Sequence, residues 1–260
     1  MTIKYTYMGL LVYLAMGSYL LAFITTIIGE KKAGWFVYSI AASITAMAFA
    51  YRWFTSGHIP FQSMFEVFLS MGVVIFPLSV FCKRFLKVGV ESTDMLIGFI
   101  LLFPAGFIFS ADPQKLPPAL QCWLFIPHVA VYLLSYVIMF KAAVQAFCRI
   151  AGRKSDLLDY EQATYRMITL GFPLLTLGLI LGSIWGKLAW GDYWNWDPKE
   201  SWSLASWLIY VEYFHFRHMF GKKYPRTNCM FALLGLAAIL ITLIWVNLSN
   251  IFAGLHNYAS

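Results

Sequence analysis

MGLLVYLAMGSYLLAFITTIIG, Met8–Gly29, carries no charged side chain along its whole length. As a helix it extends about 33 Å at 1.5 Å per residue, enough to cross the hydrocarbon core of a bilayer. In lipid, backbone N–H and C=O groups must pair within the segment, so a lone spanning run of this kind is helical. The run is too long for a signal-peptide core. It ends at Lys31 and Lys32 without a small-residue cleavage pattern, so it is expected to be a retained span. With this first run taken as 7–29, similar runs recur at 34–54, 63–82, 94–110, 123–148, 166–185, 198–219 and 229–250. None alternates with a period of two, so a membrane β-barrel is not expected. Hydrophobic residues make up 60% of the 260-residue chain and charged ones 12%, about half the charged share of a soluble domain. The expectation is an all-α, polytopic integral membrane helical bundle. It has about eight transmembrane helices and forms one membrane domain over residues 1–260.

The formal charge of +7 would suggest nucleic acid on a soluble protein. Here the cations sit in short loops and at helix ends, the pattern that sets membrane orientation. One side holds Lys31, Lys32, Lys83, Arg84, Lys87, Lys141, Arg149, Arg153, Lys154, Arg166, Arg217, Lys222, Lys223 and Arg226. The other holds Lys4, Arg52, Lys115, Lys187 and Lys199. The richer side is expected to be cytoplasmic, which puts both termini on the outer side and leaves no role for nucleic acid. Cys82, Cys148 and Cys229 then fall at inner ends and Cys122 at the outer side, so no internal disulfide is expected. No C-x-x-C or C-x-x-C-H is present, which removes zinc-ribbon, dithiol and self-attached c-type haem readings.

Two helix starts are signed. Asp197-Pro198-Lys199-Glu200 has an Asp cap, Pro at the first helical position and Glu at the third; Ser63-Met64-Phe65-Glu66 is a second capping box. Before the first of these lies an outer loop at about 185–201 that contains WGDYWNWDPKES, Trp190–Ser201. An interfacial aromatic belt is one reading of it. The other is a ligand platform. Trp190 and Trp194 are four apart, as on one helical face. Gly186 and Gly191 each follow a Trp and permit close approach. Asp192, Asp197 and Glu200 put acceptors at the edge. Such a surface suits a large flat apolar ligand with a polar rim, porphyrin or quinone.

WGDYWNWDPKES resembles the W-G-x-x-W-x-W-D signature of the WWD haem-handling membrane protein family. Its Pro198-Lys199-Glu200 continuation is similar to the CcsA/ResC-type branch of cytochrome c biogenesis proteins. Ser56–Pro60 with Glu66, His128-Val129 with Ser135-Tyr136, Tyr213–Arg217 and Gly254–Tyr258 resemble further family segments in the family's order, over about residues 50–260. Asn257 stands where the family usually has Ser.

A lone His in an apolar protein is more often a packing residue than a ligand. His128 near the outer end of the fifth span and His256 just past the last flank the aromatic loop, and neutral imidazole is a common haem ligand. The resemblance implies that these two hold haem iron, with Trp190, Trp194, Trp196 and Asp197 forming the haem-binding loop. His215 lies deep in the seventh span with Glu212 one turn earlier. Ionisable residues there usually face a bundle interior or a pathway. His215 is either a hydrogen-bonded pin or, as the resemblance implies, an intramembrane haem ligand whose partner histidine is on a CcsB/ResB-type membrane protein. His58 is either a third site residue or a polar group at a helix entrance, and His218 is expected to face lipid headgroups. Polar stripes run along the third span (Gln62, Ser63, Glu66, Ser70), the fifth (His128, Tyr132, Ser135) and the seventh (Ser201, Ala205, Leu208, Glu212, His215). They suit either a haem route or plain helix contacts. No nucleophile or general base stands out.

The implied function is haem delivery and attachment as a subunit of a cytochrome c synthase, with haem b as substrate and apocytochrome c as acceptor. The implied location is the bacterial cytoplasmic (inner) membrane or the thylakoid membrane, among membrane lipid. Two alternatives stay open: a CcmC-like haem-loading protein without synthase activity, and a non-haem proton-coupled transporter using His215 and Glu212.

Overall fold

The computed structural model describes residues 3–89, 91–152, 159–221 and 223–245. Among these the regular structure is entirely helical. The α-helices are α1 (Tyr7–Ile27), α2 (Lys31–Ser56), α3 (Met64–Phe81), α4 (Glu91–Phe107), α5 (Phe125–Ile150), α6 (Tyr160–Trp190), α7 (Pro198–Phe220) and α8 (Pro225–Leu240). Single π-helical turns follow α3 (Cys82–Leu86) and α8 (Ile241–Trp245). Eight helices therefore stand where eight apolar runs occur, in an all-α polytopic membrane protein. Six of them are long and apolar enough to cross a bilayer; α4 and α7 are not among these. α4 has only 17 residues. α7 has 23, but Lys199, Glu200, Glu212, His215, Arg217 and His218 lower its hydropathy.

The chain forms two compact units, Met1–Pro117 and Pro118–Ser260. In the first, α1 packs on α2 and α4, and α3 on α2 and α4. Its core holds Tyr19 and Tyr38, whose hydroxyls bond to Gly72 O (3.1 Å) and Ser79 Oγ (3.0 Å). A buried ion pair closes one end. Arg52 Nε donates to Glu66 Oε1 at 2.8 Å, with both residues 2% exposed or less. Glu66 Oε2 also accepts the N–H groups of Gln62 (2.9 Å) and Ser63 (3.3 Å), which completes the capping box of α3. Arg52 reaches on to the carbonyls of Ala111 and Asp112. The third-span stripe is thus built into this network, and Ser70 Oγ donates to Pro60 O (2.8 Å) and Glu66 O (2.6 Å).

In the second unit α5 packs along α6, α7 along α8, and α8 against α5 and α6. One end is tied by charge. Arg217 on α7 donates through Nε and a terminal nitrogen to Glu161 on α6 (2.9 and 3.3 Å), and its guanidinium lies 3.6 Å from the Tyr165 ring centroid. Asn228 on α8 donates to the same carboxylate at 3.1 Å. Three helices therefore share one buried anion.

Candidate functional site

The aromatic loop starts from an unusually long helix. α6 has 31 residues, about 46 Å at 1.5 Å per residue, well beyond a hydrocarbon core of about 30 Å. Asp159 caps its start by accepting the N–H groups of Glu161 and Gln162. Its last turns run through Trp185 to Trp190 and stop at Gly191, which caps the helix in the left-handed conformation (φ 92°). This changes one expectation. Trp190 ends α6 and Trp194 lies in the irregular loop beyond Gly191, so the two do not share a helical face. Trp190 packs on Trp185 instead (ring centroids 4.8 Å, 63°). Trp194 meets Trp196 edge-on at 6.0 Å.

Both ends of the loop are tied down. On the α6 side, Ser183 Oγ donates to Tyr193 O at 3.0 Å, Lys187 Nζ donates to Gly191 O, and the Lys187 ammonium lies over the Tyr193 ring at 5.5 Å. On the α7 side, Asp197 accepts the Lys199 N–H at 2.9 Å and Glu200 completes a capping box. Asp197 is buried as a cap. Trp196 adopts φ 56°, a left-handed conformation that costs a bulky residue about 1–2 kcal/mol. The residue is 71% exposed. The Trp194 indole nitrogen is shielded from solvent without a hydrogen-bond partner among the described residues.

His128 lies in the first turn of α5, against α6. Its Nδ1 is 2.9 Å from Gly178 O. A carbonyl only accepts, so Nδ1 carries the proton; in the neutral ring the lone pair is then on Nε2, the tautomer a metal ligand needs. Trp185, 2% exposed and anchored by its Nε1 on Ala119 O (3.0 Å), stacks on the imidazole at 5.6 Å and 26°. Tyr132 meets it edge-on at 5.0 Å. The ring occupies space that only glycine leaves: a Cβ at Gly182 would fall 2.6 Å from His128 Cε1. Tyr132 lies over Gly178 in the same way, and Ser135 Oγ donates to Gly171 O at 3.0 Å. The fifth-span stripe therefore seats in a row of glycines on α6. The sequence reading missed this role for Gly171, Gly178 and Gly182 and the support from Trp185. The signal was there, because residues 171, 178 and 182 fall on one helical face.

The other histidines differ. His58 turns Nδ1 toward Ile59 O (3.0 Å) and Nε2 toward Gln114 O (3.3 Å); with a carbonyl facing each nitrogen it sits as a polar group at a helix entrance. His215 lies about 26 Å along α7 from Pro198 at 1.5 Å per residue. Its Nδ1 is 2.9 Å from Val211 O of its own helix, so Nδ1 is the donor. His215, Glu212 and Leu208 are exposed, while Ser206, Tyr210 and Tyr213 on the other face are buried. The ionisable face of α7 is therefore uncovered rather than turned to an interior. His218 is exposed in the last turn of α7. His256 lies outside the described residues. Among the described residues no cluster of His, Cys, Asp and Glu could hold a bare metal ion.

Residues 5–253 match the family described as Cytochrome C assembly protein. The cytochrome c biogenesis protein CcsA of Prochlorococcus marinus is 31% identical over 89% of this chain and 86% of its own length. CcsA of Lotus japonicus is 31% identical over 80% of this chain and 81% of its own length. Among solved structures, cytochrome c heme lyase CcmF superposes with a TM-score of 0.68 at 20% identity, covering 94% of this chain and 48% of that one. This chain thus spans about half the length of CcmF, and at that identity the likeness concerns fold alone. With a family match over nearly its whole length and CcsA relatives matched over most of theirs, the chain belongs to the cytochrome c assembly protein family.

Proposed function

We propose that this protein delivers haem b to the outer face of its membrane and holds it for attachment to apocytochrome c, as the haem-handling subunit of a cytochrome c synthase. The observation that carries the reading is the seat of His128. An imidazole with its proton fixed on Gly178 O and one face covered by a buried indole is a pre-oriented axial ligand. His256, just past the last apolar run in sequence, supplies the second ligand. Trp190, Trp194 and Trp196 supply flat apolar surface, and Asp197 fixes where that surface begins.

Haem is substrate here. In thioether formation a cysteine S–H adds across a vinyl group: sulfur bonds to one carbon, hydrogen goes to the other, and nothing leaves. The step needs no oxidant and no general base from this chain. What the chain contributes is position, because holding reactants in place accounts for much of such a barrier. The exposed Glu212–His215 face of α7 suits a helix of a CcsB/ResB-type partner, where His215 would meet a second haem ligand. All eight helices are assigned as spans, with the cation-rich side cytoplasmic and both termini and the aromatic loop outside.

Reconstitution tests this. Co-expressed with a CcsB/ResB-type partner and an apocytochrome c, the chain should yield covalent haem on the apocytochrome, seen by haem stain after denaturing electrophoresis. Haem passed only to a separate haem chaperone, with no thioether product, would contradict the synthase reading.

A further inference from the structure

A capping box needs one bond from the third helical residue back to the cap. Glu200 makes that bond, from Oε2 to the Asp197 N–H at 3.1 Å. The same oxygen accepts a second and shorter bond, from the Asn195 N–H at 2.7 Å. This second bond lies two residues upstream of the cap and contributes nothing to starting the helix. Between the two N–H groups stands Trp196, left-handed at φ 56° and 71% exposed. Its carbonyl accepts from Ser201 Oγ at 3.3 Å. The backbone on both sides of Trp196 is therefore tied to the first turn of α7. Strained backbone of this kind persists only where its surroundings over-determine it, and here one carboxylate supplies most of that constraint.

We propose that Glu200 is a positioning residue for the aromatic loop: by holding the N–H groups of Asn195 and Asp197 on one oxygen, it locks Trp196 in the left-handed conformation that presents its indole to ligand. The consequence for haem rests on the platform reading above; the latch itself does not.

The test uses the full chain in detergent as wild type, Glu200→Gln, Glu200→Ala, Trp196→Ala and the Trp196→Ala/Glu200→Ala double variant. The first readout needs no haem. Chymotrypsin cleavage at Trp194 and Trp196 in haem-free protein should be several-fold faster in Glu200→Ala and near wild type in Glu200→Gln, whose amide oxygen still accepts both bonds. Ser63→Ala, which weakens the cap of α3 instead, should leave cleavage in this loop unchanged. Equal cleavage in wild type and Glu200→Ala, or Glu200→Gln as fast as Glu200→Ala, overturns the latch. The second readout is haem retained, from Soret absorbance per protein. Glu200→Ala and Trp196→Ala should each lose about tenfold, and the double variant should lose no more than Trp196→Ala alone, because one residue acts through the other. Multiplied losses overturn the positioning role. Wild type that takes up no haem would instead sink the platform reading, while the protease rates still decide the latch.

Discussion

His128 and Gly182 are legible at very different depths in the sequence. A histidine near the outer end of an apolar run, beside a tryptophan-rich loop, stands out by residue type alone. Its seat does not, because glycine in a spanning helix is commonplace until a facing side chain is placed on it. The close approach of the ring to position 182 turns that glycine into a requirement. Gly182→Ala should overpack the site by about 1–3 kcal/mol and tilt the imidazole off its Gly178 bond. Haem retained by the purified protein should then fall about tenfold, with the helical circular dichroism unchanged. Retention at the wild-type level would mean that the ring does not need this groove. His58 illustrates the converse: residue type and position leave it open as a site residue, and the structure adds two carbonyls facing its ring nitrogens, which suit a polar group at a helix entrance.

At the scale of elements, apolar runs located all eight helices but misjudged their ends wherever polar residues continue a helix. α6 was expected over 166–185 and runs Tyr160–Trp190. Its first turns carry Glu161 and Gln162, which a hydropathy window excludes, although Asp159 caps them. Its last turn falls within the stretch read as the outer loop, about 185–201. The spacing of Trp190 and Trp194 then misled, since Gly191 breaks the helix between them. The capping boxes of α3 and α7 were readable in full because they depend on neighbours in sequence. The Arg52–Glu66 pair was not, since it joins α2 to α3 across space. Removing one partner strands a buried charge, so Glu66→Ala should destabilise the first unit by about 3–5 kcal/mol. Replacing both, as Arg52→Met with Glu66→Leu, should restore most of that. Unfolding midpoints in detergent measure both variants; a single variant as stable as wild type would show that the pair is not needed to hold these helices.

For the whole molecule, the sidedness proposed from charge asymmetry is read out by a membrane-impermeant maleimide on intact cells. Both variants are made with Cys122→Ser, since Cys122 is a free, partly exposed thiol expected on the outer side; Asp192→Cys, in the aromatic loop, should then label from outside. Lys32→Cys, at the start of α2, should label only after permeabilisation. The reverse pattern would put the loop in the cytoplasm and end the case for delivery to the outer face. α4 and α7 were expected to span like the rest, yet they are the short helix and the polar helix of the set. That difference in α7 coincides with its uncovered Glu212–His215 face, a cost in lipid that a partner helix would relieve.

The central claim is that one haem iron is held between His128 and His256. The most direct measurement is the absorption spectrum of the reduced, detergent-purified protein as wild type, His128→Ala and His256→Ala. The account expects a six-coordinate bis-histidine spectrum with sharp α and β bands in wild type. Those bands should be lost or shifted to a five-coordinate form in each variant and restored by added imidazole. Unchanged spectra in both variants would contradict it.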